Sequence, residues 1–359
     1  MTDTPALECE ILLEERGVDL RLEVADGETV AVLGPNGAGK STLLSTIAGT
    51  LRPDRGSARL GSETLFDVDT GGRGLWRQPH ARGIALLAQD ALLFPHLTVT
   101  ENVAFGPRSR GVPRRAAREA ARRWLDEVGA GEYAGRKPSQ LSGGQAQRIS
   151  VARALAAEPR LLLLDEPMAA LDVTMVPSVR QMLRRVLADR TSVIVTHDVL
   201  DALLLADRVV VLEDGGVAEE GPTADVLARP RSTFGASIAD VNLWPGTATK
   251  DGVRSTGGAE MHGAAHVAVD PGRPAIAAFA PRAVALYLEP PVGSPRNVLP
   301  ARVRELEPRG ATVRVRVDGP GGAEMSAEVT AGALAELGLV PGTEVFAVVK
   351  ATEVTTYPA

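Results

Sequence analysis

Cysteine is nearly absent from this sequence, which has only Cys9 among its 359 residues. A single thiol excludes an intrachain disulfide and a cysteine-based metal cluster. No apolar run approaches the roughly 18 to 20 residues that a membrane-spanning helix needs. Residues 1–8 lack the basic start and the apolar core of a signal peptide. We therefore expect a cytoplasmic protein that associates with a membrane only through a partner.

An excess of positive charge is also lacking. The formal net charge is −6 and no cluster of lysine and arginine forms a stripe for a phosphate backbone, so we expect no nucleic-acid partner. Hydrophobic residues make up 44% of the chain, which allows sizeable cores and excludes wholesale disorder. The length allows roughly two to three domains of about 150 residues each.

Apolar strand-like runs alternate with helical patterns between residues 11 and 228, which predicts an α/β fold with a mainly parallel sheet. An amphipathic helix is predicted over 113–128, with Pro113 near its start and Gly129 at its end. The other elements predicted in this region are strands at 30–33, 161–164 and 192–196, a helix at 41–48 and a hairpin over 208–220.

The composition changes after Phe234, where Gly, Pro, Ala and Val dominate and long helical patterns end. Short strand patterns appear at 302–304, 312–317, 325–329 and 345–349, with one short helix at 331–337. These features predict a small barrel of short strands. We place a first domain at 1–235 with a helical subdomain at about 93–150, a β-rich connecting segment at 236–290, and a small β-rich domain at 291–359.

A glycine-rich segment joins the predicted strand at 30–33 to the predicted helix at 41–48 and fits G-x-x-x-x-G-K-[ST]. Backbone N–H groups of such a loop surround phosphate oxygens at a helix N-terminus. Lys40 is expected to neutralise the β- and γ-phosphates of ATP, and the Ser41 hydroxyl to bind Mg²⁺. The candidate nucleotide-binding residues of this loop are Gly34, Pro35, Asn36, Gly37, Ala38, Gly39, Lys40, Ser41 and Thr42.

Two carboxylates, Asp165 and Glu166, follow the apolar run 161–164. Asp165 suits a direct or second-layer role at Mg²⁺, and Glu166 suits a base that orients the attacking water. An apolar strand that ends in acids is common by itself, and such residues are more often simply solvated. The combination with the glycine-rich loop favours the catalytic interpretation.

The segment 141–148, Leu-Ser-Gly-Gly-Gln-Ala-Gln-Arg, resembles the signature sequence of ABC ATPases. At a helix start, Ser142, Gly143 and Gly144 offer N–H and hydroxyl donors to a phosphate. The resemblance, which covers about residues 7–235, implies that these residues and Gln145 contact ATP held by a second copy of the chain.

Further residues match the order of ABC family motifs, and their roles are implied by that resemblance. Gln89 resembles the glutamine that senses Mg²⁺ and the permease, and Asp172 resembles the aspartate of the D-loop. His197 resembles the switch histidine that contacts the γ-phosphate. The family usually stacks an aromatic ring on adenine upstream of the glycine-rich loop, but here no aromatic residue precedes Phe66. An aliphatic or arginine surface near Leu13 or Arg16 is expected instead.

The segment 90–106 resembles the importer-type sequence that docks a permease helix, and its candidate contacts are Phe94, Pro95, His96 and Leu97. Internal packing of the helical subdomain is the alternative. Towards the C-terminus, the segments 294–297 and 350–354 resemble the two anion-binding segments of molybdate-binding Mop domains. This resemblance implies that the C-terminal barrel is OB-like. The candidate oxyanion ligands of these segments are Ser294, Arg296, Asn297, Lys350 and Thr352. A cation with hydroxyl and N–H donors suits a tetrahedral dianion, although Arg296 and Lys350 are also ordinary surface residues of a barrel.

Over its whole length the chain resembles the ATPase subunits of molybdate importers. The resemblance implies a homodimer at the cytoplasmic face of the membrane, below two permease subunits and supplied by an extracytoplasmic oxyanion-binding protein. It also implies ATP and Mg²⁺ as cofactors, with molybdate or tungstate as a regulatory ligand. The alternatives are an importer of sulfate, a sugar or a metal, a non-transport ABC ATPase, and an oxyanion sensor whose main role is regulation.

Overall fold

The computed structural model describes residues 5–71, 73–169, 171–265 and 269–359. The chain divides into two compact units after Ala224. The boundary predicted at residue 235 lies further along the chain, and the helix Thr223–Ala228 crosses the division. In the described residues we find no helix whose length and apolar character would let it cross a membrane.

The N-terminal unit is built from strands and helices that alternate along much of the chain. Its strands are β1 (Leu7–Leu13), β2 (Val18–Val24), β3 (Thr29–Leu33), β4 (Arg55–Leu60), β5 (Glu63–Val68), β6 (Gly74–Trp76), β7 (Ile84–Leu87), β8 (Leu161–Asp165), β9 (Ser192–Val195), β10 (Arg208–Glu213) and β11 (Gly216–Pro222). Its helices are α1 (Lys40–Ala48), α2 (Val99–Val103), α3 (Phe105–Ser109), α4 (Arg114–Glu127), α5 (Gly143–Ala156), α6 (Val176–Leu187) and α7 (Val199–Leu205), with α8 (Thr223–Ala228) at the division.

Two sheets form this unit. One is antiparallel with the order β2-β1-β4-β5-β6, and the other has the order β11-β10-β3-β9-β8-β7. Strands β10, β3, β9, β8 and β7 are mutually parallel, and β11 pairs antiparallel with β10 at the edge. Because β3 lies inside the parallel sheet, the loop that follows it opens at the same edge as the loops after β8 and β9.

Strand β8 shows why the parallel strands read as continuous apolar runs. Leu161 and Leu163 pack in the core that includes the antiparallel sheet and α1, whereas Leu162 and Leu164 pack in the core that includes α4, α5 and α6. A strand that is covered on both faces needs apolar side chains at every position. The same holds for β3, whose five residues are all buried.

The C-terminal unit is mostly antiparallel β-structure. Its strands are β12 (Asn242–Ala248), β13 (Gly252–Arg254), β14 (Glu260–His262), β15 (Ala264–Ala265), β16 (Pro274–Phe279), β17 (Val284–Tyr287), β18 (Asn297–Arg309), β19 (Thr312–Asp318), β20 (Glu324–Thr330), β21 (Glu344–Val349) and β22 (Thr355–Pro358), and its further helices are α9 (Thr233–Ala239) and α10 (Ala331–Glu336). They form sheets of order β14-β13-β12-β16-β22-β15 and β17-β21-β18-β19-β20. Strand β22 pairs with β16, so the segments predicted at 236–290 and 291–359 share one sheet.

The predicted fold class is confirmed, with an α/β unit followed by a smaller β-rich one. The predicted helix at 113–128 is α4, and the predicted strands at 30–33, 161–164 and 192–196 are β3, β8 and β9. In the C-terminal unit β18 is much longer than the strand predicted at 302–304. Pro300 and Pro308 lie within it, and proline weakens a strand pattern read from sequence.

A buried arginine caps the C-terminal end of α1, and the sequence analysis did not predict it. Arg82 is fully buried, and its Nη1 donates hydrogen bonds of 2.8 Å to the carbonyl oxygens of Thr46 and Ile47. Its guanidinium carbon lies 4.3 Å from the centre of the Trp76 ring. Burial lowers the pKa of Arg82 to about 10. The side chain therefore satisfies carbonyl groups that every helix leaves unpaired at its C-terminus.

We predict that Arg82→Ala lowers the free energy of unfolding by about 3 kcal/mol, because buried carbonyl groups lose their donors. Arg82→Lys should restore little of this loss, since one ammonium group cannot both stack on Trp76 and reach the carbonyl groups. Urea unfolding followed by circular dichroism measures the change. Arg59→Ala, at an exposed position of β4, is the control, and equal unfolding midpoints for the Arg82→Ala and Arg59→Ala variants would contradict the prediction.

Candidate active site

The glycine-rich loop occupies residues 34–39, between the end of β3 and the start of α1. Gly34 adopts φ 151°, and a Cβ there would lie 2.4 Å from the carbonyl oxygen of Leu212 on the neighbouring strand β10. Gly37 adopts φ 86° with open space around it. The first glycine is therefore required by close backbone packing, and the second by its left-handed conformation.

Lys40 is the first residue of α1 and folds back over this loop. Its Nζ donates hydrogen bonds of 2.7 Å to the carbonyl oxygen of Gly34 and 2.8 Å to that of Pro35. Burial lowers the pKa of Lys40, while the nearby Glu166 and Asp165 carboxylates oppose that shift. The ammonium group is thus held by carbonyl dipoles at a position where phosphate oxygens offer stronger, charged acceptors.

A cavity of about 450 Å³ opens beside the loop. It brings together residues of two sequence motifs that lie far apart in the chain, the glycine-rich loop and the pair of carboxylates after β8. The lining residues are Arg16, Val18, Asn36, Gly37, Gly39, Lys40, Ser41, Thr42, Asp165, Glu166 and Val195. Of the other predicted loop residues, Gly34 and Pro35 bind Lys40 through their carbonyl groups, and Ala38 is buried in the core.

The carboxylates of Asp165 and Glu166 stand at the end of β8. Burial and the neighbouring Glu166 charge raise the pKa of Asp165, against the opposing effect of Lys40. Glu166 adopts φ 44°, and its N–H donates a 2.9 Å hydrogen bond to the carbonyl oxygen of Val195 on β9. His197 Nδ1 lies 3.4 Å from Glu166 Oε1. The predicted base and the predicted switch histidine are therefore neighbours.

A buried ion-pair network holds the segment on both sides of His197. Arg180 of α6 donates a 2.7 Å hydrogen bond from Nε to Asp201 and a 2.9 Å bond from Nη2 to Asp198. The Thr196 hydroxyl donates to Asp201 and accepts from the Asp198 N–H. His197 itself is exposed over 65% of its side chain, so its position depends on these flanking residues. The partners of Arg180 lie 18 and 21 residues away, and no sequence motif indicated them.

Gln89, Asp172 and the signature residues lie outside this cavity. Gln89 is exposed just beyond β7, which pairs in parallel with β8. The carboxylate of Asp172 accepts hydrogen bonds from the N–H (3.1 Å) and the hydroxyl (3.2 Å) of Thr174. Both residues therefore lie at the surface of the N-terminal unit.

Ser142 caps the start of α5. Its hydroxyl accepts a 3.4 Å hydrogen bond from the N–H of Gln145, and the Gln145 side chain accepts a 3.0 Å bond from the N–H of Ser142. This capping box fixes the first turn, which contains Gly143 and Gly144. A Cβ at Gly144 would lie 2.9 Å from the Met175 side chain, so the turn is tightly packed.

The two positions considered for adenine differ in the structure. Leu13 is only 6% exposed and packs in the core, which removes it as a base-contacting surface. Arg16 lines the cavity, and its Nη1 donates a 3.2 Å hydrogen bond to the hydroxyl of Thr42. No aromatic residue is among those that line the cavity in the described part of the chain.

The aromatic segment after Gln89 is partly packed inside the helical region. The Phe94 ring centre lies 4.6 Å from that of Phe105 and 6.3 Å from that of His96, and Arg153 covers the Phe94 ring at 5.4 Å. Phe105 remains 46% exposed. Phe94 is thus partly packed inside the helical region, while Phe105 leaves apolar surface exposed beside it. The docking role of this segment stays a prediction.

Three of the five predicted oxyanion ligands have a clear place on one edge of the C-terminal unit. Asn297 pairs with Val349 in the antiparallel β18–β21 ladder. Arg296, just before β18, and Lys350, just after β21, therefore lie at adjoining strand ends, and both are exposed. The Asn297 side chain is buried, accepts a 2.7 Å hydrogen bond from the His262 N–H and donates a 2.9 Å bond to the His262 carbonyl oxygen. It joins two sheets instead of facing a ligand.

Comparison with known proteins agrees with this geometry. A family model described as "ABC transporter" matches residues 18–169, and one described as "TOBE domain" matches residues 293–356. The molybdenum import ATP-binding protein ModC of Mycobacterium tuberculosis H37Rv is 51% identical over 98% of this chain and 97% of its own length. The chain belongs to the ABC transporter ATP-binding subunits. The resemblance inferred from the motifs is confirmed.

Two further ABC proteins extend the comparison. The molybdate/tungstate import ATP-binding protein WtpC of Pyrococcus horikoshii is 35% identical over 95% of each chain. A dimeric ATP-binding cassette, solved in a post-hydrolysis state with ADP and Pi, is 29% identical, with a TM-score of 0.53 over 60% of this chain and 98% of its own. As an ABC subunit, the chain is a nucleotide-binding transport ATPase.

We predict that Arg180→Ala lowers kcat for ATP hydrolysis by about 10-fold, because a loosened segment misplaces His197. The affinity for ADP should stay unchanged, since no residue of the network lines the cavity beside the glycine-rich loop. Steady-state kinetics and ADP titration separate the two effects.

Arg208→Ala is the matched control, because Arg208 is also a partly buried arginine, paired with Glu28 at 2.9 Å on the sheet. It should reduce stability to a similar degree and leave kcat nearly unchanged. Equal losses of kcat in the two variants would show that Arg180 acts through general stability alone.

Proposed function

We propose that this chain hydrolyses ATP to ADP and phosphate and thereby energises the import of molybdate or tungstate through a membrane permease. The observation that carries the hydrolysis step is the convergence of Lys40, Asp165 and Glu166 on one cavity. Support for the substrate comes from the two relatives matched over nearly the whole chain, whose names specify molybdenum import and molybdate/tungstate import.

In this proposal Glu166 orients the attacking water and accepts its proton. The water oxygen bonds to the γ-phosphorus, the bond from that phosphorus to the β–γ bridging oxygen breaks, and ADP leaves. Lys40 exchanges its contacts with the loop carbonyl groups for contacts with the β- and γ-phosphates. His197, 3.4 Å from Glu166, contacts the γ-phosphate and responds to its loss.

The cavity also suits the Mg²⁺ that accompanies ATP. The Ser41 hydroxyl and the Asp165 carboxylate line the same space, and oxygen ligands are the ones that Mg²⁺ prefers. Burial raises the pKa of Asp165, and a divalent cation would favour its ionised form. When bound, the ion neutralises charge on the phosphoryl group. Gln89 is the proposed further ligand, reached from the end of the neighbouring strand β7.

We predict that Glu166→Gln lowers ATP turnover by about 100-fold or more while ATP binding persists. The variant should then accumulate as an ATP-bound dimer, because the nucleotide that joins two copies is not hydrolysed. Phosphate release and size-exclusion chromatography with light scattering measure the two effects. Glu132→Gln, at an exposed position, is the control. Normal ATP turnover in Glu166→Gln would show that Glu166 is not the catalytic base.

A homodimer with two shared nucleotides is the proposed working form. Ser142, Gly143, Gly144 and Gln145 then contact ATP bound by the partner copy, since the capped start of α5 presents N–H donors. Asp172 lies at the same proposed interface. A dimeric assembly is described for the solved ATP-binding cassette that this chain resembles.

The proposed location is the cytoplasmic face of the membrane, with the chain bound peripherally to two permease subunits. Phe94, Pro95, His96 and Leu97 are the proposed docking residues, and the exposed Phe105 beside Phe94 adds apolar surface there. An extracytoplasmic oxyanion-binding protein would deliver the substrate from the other side. No nucleic-acid partner is proposed.

The C-terminal unit is proposed to bind molybdate or tungstate as a regulatory ligand. Arg296 directly precedes β18 and Lys350 directly follows β21, next to the paired residues Asn297 and Val349, so two exposed cations lie at adjoining strand ends. Ser294 and Thr352 are also exposed and add hydroxyl donors nearby in sequence. We leave Asn297 out of the ligand set, because its amide is bound to the backbone of His262.

We predict that the chain binds molybdate with micromolar or tighter affinity and sulfate at least about 10-fold more weakly. Arg296→Ala/Lys350→Ala should abolish molybdate binding, since a tetrahedral dianion loses both cations. Calorimetric titration measures the affinities. Arg302→Ala/Lys250→Ala removes the same two positive charges at other exposed positions of the C-terminal unit, and it should leave molybdate binding unchanged. Molybdate binding that survives in the first variant would reject this site but leave the ATPase proposal intact.

A further inference from the structure

The C-terminal unit contains a cavity of about 650 Å³ that the functions proposed above do not use. Its wall is formed by α9, the start of β12, residues 255–257 and parts of β18, β19 and β20. Arg296 and Lys350 do not line it, so it is separate from the proposed oxyanion site. Its size falls within the usual range of small-molecule binding sites.

Arginine side chains dominate the charged part of this wall. Arg304, Arg309, Arg314 and Arg316 lie on β18 and β19, and the lining carboxylates are Asp240 and Glu324. Arg309 lies 3.7 Å from Glu307 and 4.0 Å from Asp240, both beyond hydrogen-bonding distance. The one hydrogen bond found for the Arg316 side chain among the described residues is a long one of 3.5 Å to Glu307. Arg316 Nε also lies 3.7 Å from Glu305. Both arginines thus form long ion pairs with carboxylates but make few hydrogen bonds.

Buried donors without partners are concentrated around the same cavity. Among the described residues, seven buried side-chain N or O atoms have no hydrogen-bond partner, and four belong to lining residues. These atoms are Trp244 Nε1, Ser255 Oγ, Arg314 Nε and Arg316 Nε. Trp244 is 1% exposed and Arg314 6% exposed. These four atoms are themselves buried, so a ligand in the cavity reaches them only when the surrounding side chains move.

The lining carboxylates do not close the site to an anion. Glu324 pairs with Arg304 but its side chain is 64% exposed, and Asp240, which pairs with Arg314, is 49% exposed. The Arg304–Glu324 pair is exposed and contributes little free energy, so an incoming anion can displace it at small cost. Arg314 is buried and makes two hydrogen bonds to Asp240, so that pair stays in place. Guanidinium groups bind phosphate oxygens in the same two-point geometry as carboxylates.

The remainder of the wall is apolar and includes Pro245, Ile276 and Met325. A tetrahedral oxyanion would fill only a small part of the space and would leave this surface uncovered. We propose that the cavity binds an organic phosphate whose phosphate groups pair with Arg309 and Arg316 and whose carbon skeleton packs near Trp244. This site would give the subunit a third small-molecule ligand, besides the nucleotide and the oxyanion.

Trp244 provides a local readout of binding. The sequence has three tryptophans, so Trp76→Phe/Trp124→Phe leaves Trp244 as the single fluorophore. We would titrate this protein with fructose 1,6-bisphosphate and with inorganic phosphate, and follow both fluorescence and thermal unfolding. We expect a saturable response to the bisphosphate, and at least about 10-fold weaker affinity for inorganic phosphate, since it reaches fewer contacts.

Three variants in this background decide the location. Arg309→Gln/Arg316→Gln should weaken binding by about 10-fold or more, and both side chains are exposed enough for the fold to tolerate the change. Arg296→Ala/Lys350→Ala and Lys40→Ala should bind like the parent protein. The proposal is overturned if neither readout responds up to about 10 mM ligand, or if affinity is unchanged in Arg309→Gln/Arg316→Gln.

Discussion

The nucleotide site depends on how tightly the backbone turns after β3. A Cβ at Gly34 would lie 2.4 Å from the Leu212 carbonyl oxygen, so the loop passes directly against β10. This contact fixes the side of the sheet on which the loop lies, and Lys40 then bonds the carbonyl groups of Gly34 and Pro35 from within the loop. Within the loop the Ala38 N–H also donates a 3.2 Å hydrogen bond to the Pro35 carbonyl oxygen, so this turn is held by its own backbone as well as by the lysine.

The parallel sheet brings the other residues of the site together, because its strands end at the same edge. Strand β9 lies between β3 and β8, and the hydrogen bond from the Glu166 N–H to the Val195 carbonyl oxygen joins the ends of β8 and β9. The glycine-rich loop, the carboxylates and His197 therefore meet at one edge although they lie far apart in sequence. The same edge brings opposite charges together, which is why Lys40 and Asp165 each affect the pKa of the other.

Sequence reasoning assigned roles to residues whose chemistry depends on short spacing, such as Lys40, Ser41 and the pair Asp165–Glu166. The structure places these four residues at one cavity, and their roles stay predictions. Sequence reasoning missed Arg82 and Arg180, because their partners are distant in sequence and an arginine alone gives no pattern. It assigned Asn297 to a ligand set, whereas the structure uses that amide to bind the His262 backbone. Sequence spacing could not show that β22 returns to pair with β16, which places the two predicted C-terminal segments in one sheet.

The central claim is that ATP hydrolysis by this chain energises oxyanion import, and vesicle transport tests it most directly. The chain would be reconstituted with its permease and oxyanion-binding protein in liposomes, and molybdate uptake followed with and without ATP. The account predicts uptake that requires ATP, is lost in Lys40→Ala, and is little affected by excess sulfate. ATP-dependent uptake of sulfate or another solute with no uptake of molybdate or tungstate would contradict the substrate, and uptake that persists in Lys40→Ala would contradict the energy source.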